Sequence, residues 1–539
     1  MSASVMVSPI NASSRTAESA LIWGSTSTKK NESMNTINGT PITRAFVLMV
    51  ALLLGFAGLD VSASPQSGDA EPTGADGAAS TTAADAPKTA AEISSLSIVD
   101  RAPIVLDVNR RYYKFYGDAF TVNGGLLERS QLTGDWGGAR DTLADSGFNF
   151  DFGITQNFMS NVDGGTSTGG LQYSGSLDMF ANIDTAKLTK GAWPRATIFL
   201  HLETRWDQGV QADAGSLIPP VYDDVTPRAE TNDNAYLSEY YLIQALSDEF
   251  SLWIGQMDGA GLADGNAFAN SEKHQFMNTA LVDNPILGPF AHYTGFSANA
   301  VWIPSKEKEH VFIVGALDGN GTVNKTVAST YRGSDTVYTG SYIWLPEFDG
   351  LTGRYQILGG YTDKNFTDYA LDDQLELARI LIGIDTPIEA SDNYVVIGML
   401  QQYLYVKDKK RMTGWGLFSR FGWAPDDRNA IDQFYSFGVG GKGCLFPGRD
   451  NDFWGVGWAG THFSSDLRRD LEILGVDSED FEHVIEAFYN IELTPAVHLT
   501  LDGQYILDPF VSQILEGTGG SVSSDSSALV LGMRLQLDF

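Results

Sequence analysis

The chain has 539 residues, more than one hydrophobic core usually fills, so a soluble reading demands several linked domains and a single large barrel is the alternative. Lysine and arginine number 35 against 67 aspartates and glutamates, and the resulting net charge of -32 makes nucleic acid or an anionic surface a poor partner. A mean hydropathy of -0.11 argues against a bundle of membrane helices but not against a barrel, in which only alternate residues face lipid.

Arg44 precedes the apolar run AFVLMVALLLGFAGLDVSAS, which gives way to small residues around Val61-Ser62-Ala63, the shape of a secretory signal and its cleavage site. The run is short for a membrane anchor, and no basic stop-transfer cluster follows it. The Ser-, Asn- and Thr-rich stretch ahead of Arg44 is unusual before a signal core, and a start at Met34 gives a signal of normal size. Residues 1–63 are thus read as an N-terminal extension plus signal peptide. Residues 64–103 lack aromatics and are read as a low-complexity, disordered leader. Order is expected to begin between Ile104 and Leu126, with 104–147 forming a helical or plug segment. In GDWGGARDTLADSG, Asp135 can cap a short helix that carries Ala139 and Leu143 on one face and stops at Gly147.

From Phe148 on, apolar residues recur with period 2, and the intervening polar residues are often charged. In LQYSGSLDMFANID, Leu171, Tyr173, Leu177, Met179 and Ile183 oppose Gln172, Ser174, Ser176, Asp178, Asn182 and Asp184. In ATIFLHLETRW, Ile198, Leu200, Leu202 and Trp206 oppose His201, Glu203 and Arg205. HVIEAFYNIELTPAVHLTLDGQYI reads as a hairpin about Thr494-Pro495-Ala496, with Glu486, Asn490, Glu492, His498, Asp502 and Gln504 on its polar face. The final strand places Leu529 to Phe539 on alternate positions against Arg534, Gln536 and Asp538. Short turns are expected to alternate with longer loops such as NVDGGTSTGG and FPGRDND. Trp206, Trp415, Trp423, Trp454, Trp458, Tyr489 and Tyr505 suit interfacial girdles, although aromatics are enriched in all strands. Cys444 is the one cysteine, so an intrachain disulfide and a multi-cysteine metal site are excluded. The expected fold is all-β: a transmembrane antiparallel β-barrel over 148–539, of about 16 strands, with a short N-terminal helical segment.

LTGDWGGARDTLADSGFNFDF (132–152), GWGLFSRFGWAPDDRN (414–429), YSFGVGGKGCLFPGRDNDFWGVGW (435–458) and YNIELTPAVHLTLDGQYILDP (489–509) together resemble the carbohydrate-selective outer-membrane porins of the OprB family. The resemblance runs from about Leu126 to Phe539 and is weaker from Val225 to Leu345. It implies a 16-stranded barrel in a Gram-negative-type outer membrane that admits monosaccharides and small sugars by passive diffusion, with the short helix at the periplasmic mouth.

A pore selective for sugar needs dense donors and acceptors, which paired arginines and carboxylates supply. The candidates for lining the pore and touching sugar are Asp178, Asp184, His201, Glu203, Arg205, Arg420, Glu486, Asp502 and Arg534, each also readable as a solvated wall or a cross-strand ion pair. Phe180, Phe199 and Phe488 are inward aromatics, or pack under a folded-in loop. The expected partners are small carbohydrates held weakly and transiently, outer-membrane lipids and the barrel assembly machinery, and a homo-oligomer is compatible with the sequence. No catalytic residue, cofactor or metal is expected. Phe539 resembles the terminal aromatic that assembly machinery recognises. The rival readings are a non-selective or structural porin, an outer-membrane barrel enzyme, for which His201, His462 and His498 lack a nearby serine nucleophile motif, and a soluble glycosidase built on paired carboxylates.

Overall fold

The computed structural model describes residues 124–539 except 208, 226–234, 260–264, 292, 305–308, 322–329, 332–334, 371–387, 410–411 and 474. The extension, signal, leader and first part of the 104–147 segment lie outside the described residues.

Long strands follow one another as β1 (Phe148–Gly164), β2 (Gln172–Asp184), β3 (Ala196–Asp207), β4 (Tyr236–Ala245), β5 (Phe250–Met257), β6 (Gly295–Trp302), β7 (His310–Asp318), β8 (Thr336–Trp344), β9 (Leu351–Thr362), β10 (Asn393–Asp408), β11 (Thr413–Trp423), β12 (Ile431–Lys442), β13 (Phe453–Phe463), β14 (Phe481–Thr494), β15 (Val497–Leu507) and β16 (Ser527–Asp538). Each is antiparallel to the next, and β16 returns to β1 with Asp538 opposite Gly153 and Ala528 opposite Gly164. The result is a closed barrel of 16 strands. Closure leaves no unpaired sheet edge, which is what permits strands to cross hydrocarbon.

The period-2 pattern resolves into two faces. On β16, Leu531 and Met533 are exposed outward while Val530, Arg534, Gln536 and Asp538 are buried inward. Ile254, Phe312, Val314, Ile357, Leu417, Val456 and Leu501 continue an exposed apolar belt around the outside. Such a belt would be a liability in water and is the expected surface against lipid.

Connections after even-numbered strands form a turn end, and those after odd-numbered strands form a loop end. The Thr494-Pro495-Ala496 turn lies at the turn end, and Asn161–Gly170 at the loop end. FPGRDND, expected as a long loop, joins β12 to β13 at the turn end, where Arg449 pairs with Asp452 at 2.7 Å and Tyr489 donates to Asp452 at 2.6 Å. The Arg449 pair closes the stretch on itself, and the Tyr489 bond ties it to β14.

The N-terminal helix α1 (Ala139–Asp145) begins a turn later than expected. Asp135 does not cap it; its carboxylate accepts from the Gly137 amide at 3.0 Å, and Gly138 in left-handed conformation is the N-cap. The buried face carries Arg140, while Ala139 is exposed. Arg140 lies under the Trp136 ring at 4.4 Å and donates to the Phe539 backbone oxygen at 3.0 Å. The helix stops before Gly147, whose φ of 96° and close approach to the Asp184 carbonyl leave no room for a Cβ.

The inner face departs most from expectation. Two loop-end connections turn inward, 209–225 after β3 and 265–291 after β5. They bury Val210, Ala214, Val221, Tyr222, Phe268, Phe276, Met277, Leu281 and Phe290 against Phe418, Phe434, Phe488, Ile506 and Val530 of the wall. The wall makes room with glycine: a Cβ on Gly455 or Gly457 would meet Phe276 or Leu281 at 2.8 Å. The inner face is therefore covered by protein over much of its area, where open water was expected.

Candidate functional site

The longer in-folded segment is tied to the wall by inward charges that meet its backbone. Arg420 of β11 donates to the carbonyls of Leu281 (3.0 Å), Val282 (3.1 Å) and Ala269. Arg534 of β16 donates to those of Glu272 (2.6 Å) and Gln275 (2.7 Å) and to the Thr500 hydroxyl. Glu486 of β14 accepts from the amides of Met277 (2.5 Å) and Asn278 (3.0 Å). Glu482 does the same for the shorter segment, accepting from Leu217 (2.9 Å), Ile218 (3.1 Å) and the Ser216 hydroxyl (2.7 Å). Irregular backbone inside a barrel must find partners for its amides and carbonyls, and a forked guanidinium or a carboxylate satisfies two or three at once. The two segments also meet each other, through the Tyr222 amide on the Met277 carbonyl at 2.7 Å.

Where the segment reaches β2 and β3 it enters a buried polar cluster. Lys273 bonds Asp223 at 2.6 Å, Asp178 at 2.9 Å and the Ser176 hydroxyl at 2.9 Å, and lies 3.5 Å from Glu272. Burial opposes its charge, yet the surrounding carboxylates more than offset this and hold the ammonium well above the usual lysine range. His201 stands between Asp178 on Nε2 (3.1 Å) and Glu239 on Nδ1 (3.3 Å), with the Phe180 ring stacked at 4.3 Å. Glu203 lies 3.9 Å from the same Nε2 and accepts from the Tyr293 hydroxyl at 3.1 Å.

On the opposite side the start of the segment is tied to β9 and β10, where Arg354 donates to the Gly265 carbonyl and Gln401 accepts from the Ala267 amide at 2.6 Å, but its later part stands off the wall. A cleft lies between Leu287, Phe290 and Ala291 of the segment and Ser297, Asn299, Thr339, Ser341, Leu358 and Val395 of β6 to β10. Thr339 and Ser341 are half-buried, so hydroxyl groups border open space here.

The expected pore residues divide accordingly. Arg420, Glu486 and Arg534 hold the in-folded backbone, and Asp502, on the same inner face, accepts from Gln504 at 2.9 Å. Asp178, His201 and Glu203 form the buried cluster. Arg205 stays partly exposed and reaches the Asp223 carbonyl at 3.4 Å. Asp184 stands at the turn end, where it caps the four-residue helix Thr185–Leu188 by accepting from the Ala186 and Lys187 amides. Phe488 packs under the in-folded segment, 4.7 Å from Phe276, while Phe180 and Phe199 join Tyr241 and Trp253 in a separate inner apolar layer. Lys273, Glu239, Asp223 and the residues of the cleft were not anticipated. The glycines of the motifs quoted for their resemblance, Gly416, Gly422, Gly440, Gly455 and Gly457, together with inward Phe488, are the sequence signal that something approaches the wall from inside.

A closed 16-strand barrel with an apolar outer belt, a polar inner face and an in-folded connection after β5 defines an outer-membrane porin. Residues 168–539 match the family described as carbohydrate-selective porin, OprB family, and the chain belongs to it. The chain is 24% identical over 464 residues to "Putative porin QuiX" of Acinetobacter baylyi, covering 76% of this chain and 94% of that protein. The high-pH structure of Pseudomonas putida OprB superposes with a TM-score of 0.64 at 21% identity, covering 77% of this chain and all of that one. The low-pH structure of the same protein gives 0.47 at 18% identity, over 77% of this chain and 99% of the other. The protein is a sugar-selective porin of the outer membrane, a channel rather than an enzyme.

Proposed function

We propose that small sugars cross passively through the cleft between the in-folded segment and the β6 to β10 wall. Thr339 and Ser341, half-buried on β8, exchange hydrogen bonds with the hydroxyl groups of a sugar, and Leu287, Ala291 and Leu358 give the cleft an apolar border. The observation that carries this reading is the space left between residues 287–291 and β6 to β8, while Arg420, Glu486 and Arg534 fasten the middle of the segment to β11, β14 and β16, and Arg354 and Gln401 fasten its start to β9 and β10. None of the nine expected pore residues lines this cleft: Arg420, Glu486 and Arg534 hold the in-folded segment, and Asp184 caps a helix at the turn end. Affinity must stay weak so that release does not limit flux.

Uptake into liposomes reconstituted with the protein tests the proposal. Sugars are expected to enter faster than amino acids of equal size, and Ser341→Leu to slow the sugars selectively. Equal rates for both solutes would favour a non-selective porin, and release of product from glycosides would favour a barrel enzyme. The outer belt facing membrane lipid, insertion by assembly machinery through Phe539, and self-association of chains belong to the same reading.

A further inference from the structure

We propose that Asp178, His201 and Glu203 form a binding site for one divalent cation of the zinc class, set in the inner wall between β2 and β3. One oxygen of each carboxylate and a ring nitrogen of His201 lie within 4.8 Å of one another. Nε2 is 3.1 Å from Asp178 and 3.9 Å from Glu203. Metal bonds of about 2.1 Å place ligand atoms roughly 3.0–3.5 Å apart, so a small inward turn of Glu203 completes the set. One imidazole and two carboxylates suit zinc or manganese better than calcium or magnesium, which prefer oxygen alone.

Three independent features support a cation here. Glu203 is 6% exposed; Oε2, the oxygen 3.9 Å from Nε2, accepts from Tyr293, while the other oxygen of the same carboxylate, Oε1, has no hydrogen-bond partner. A buried carboxylate oxygen without a partner carries a desolvation cost that a cation removes. With His201 protonated at Nδ1, where Glu239 (3.3 Å) and the Ser238 hydroxyl (3.0 Å) lie, the Nε2 lone pair faces the Asp178 carboxylate at 3.1 Å, and a cation at Nε2 resolves that conflict. Each candidate ligand also has its own outer partner. Lys273 and Ser176 hold the far oxygen of Asp178, Glu239 holds Nδ1 of His201, and Tyr293 donates to Glu203. Metal sites are built in this way, with a carboxylate on the distal nitrogen of the histidine and donors on the ligating carboxylates. Bound metal would also stiffen Asp178, and through it the Lys273 contact that moors the in-folded segment on this side.

Full-length protein, purified folded in detergent and freed of metal, is dialysed against micromolar zinc chloride and assayed for bound zinc. One zinc per chain is expected, with X-ray absorption showing a single imidazole among nitrogen and oxygen ligands. His201→Gln is expected to lose that zinc, Glu239→Gln to weaken it about tenfold or more, and His462→Gln to retain it. If His201→Gln does not fold, as judged by the heat-dependent shift of a folded barrel on a gel, Glu203→Gln takes its place and is likewise expected to lose the zinc. No bound zinc, or unchanged zinc in whichever of these two variants folds, overturns the proposal. So does a nitrogen-15 spectrum in which both His201 ring nitrogens stay protonated on addition of zinc, since a proton then supplies the charge.

Discussion

At the scale of single residues, the inner wall uses charge as fastening. Arg420→Ala strips three carbonyls of their donor, and since hydrogen bonds to charged groups are worth about 1.5–3 kcal/mol each, a loss of about 3 kcal/mol is expected. Denaturant unfolding should register it, and planar-bilayer recording should show larger, noisier conductance. Arg420→Lys should recover only part, because an ammonium does not present the guanidinium fork. Lys273→Met leaves Asp178 and Asp223 buried without their ammonium, and is expected to cost about 3–5 kcal/mol. The raised pKa of Lys273 fixes the pH dependence. A base raised above its unfolded value stabilises fully below that value, about 10.4, and the contribution fades as pH climbs through the folded one. The deficit of Lys273→Met should thus stay constant through neutral and mildly alkaline pH and shrink only in strong alkali. Sequence patterning placed Arg420, Glu486 and Arg534 on the inner face, since a period of 2 leaves no other choice. It could not say that they face backbone, because their partners lie in stretches without periodicity.

Among the elements, β-strands and in-folded segments differ in how they can be read. A strand such as β16 declares its two faces in its own residues. The stretch 265–291 is apolar without a period, and its burial depends on strands from elsewhere in the chain. Its best trace lies in the wall, at Gly455 and Gly457, which are small because Phe276 and Leu281 lie against them. Gly457→Leu is expected to lever the segment inward while the barrel still forms, lowering conductance and sugar uptake with the heat-dependent gel shift unchanged. Normal transport in that variant would show that the segment has freedom to move aside. The early helix shows a different limit. Asp135 has the chemistry of a cap, but two glycines in left-handed conformation delay the helix, and dihedral angles of that kind are not written in residue type.

For the whole molecule, the acidic excess continues onto the inner wall and the segments folded against it. Asp178, Asp223, Glu203, Glu239, Glu272, Glu482, Glu486 and Asp502 outnumber Lys273, Arg205, Arg354, Arg420 and Arg534 among the charged groups named on the inner wall and its in-folded segments. A salt gradient across a bilayer containing the protein should therefore give a reversal potential on the cation side, falling toward zero as salt screens the wall. Barrel, export and sugar selectivity were legible from alternation, the N-terminal run and the quoted motifs. The cleft beside the in-folded segment was not, because it depends on where that segment is fastened to the wall.

That fastening has a temporal meaning. The contacts from Leu281, Met277 and Glu272 reach 139, 209 and 262 residues ahead, to Arg420, Glu486 and Arg534, and the last of these lies five residues from the end of the chain. Long-range contacts of this kind form late, because the intervening chain must be ordered first. The narrowing of the channel is thus secured only when the final strand has joined the first, so completion of the wall and restriction of the aperture are one event. A molecule halted before that moment would be a wide breach in the membrane, and protection against it falls to whatever holds the nascent sheet until Arg534 arrives.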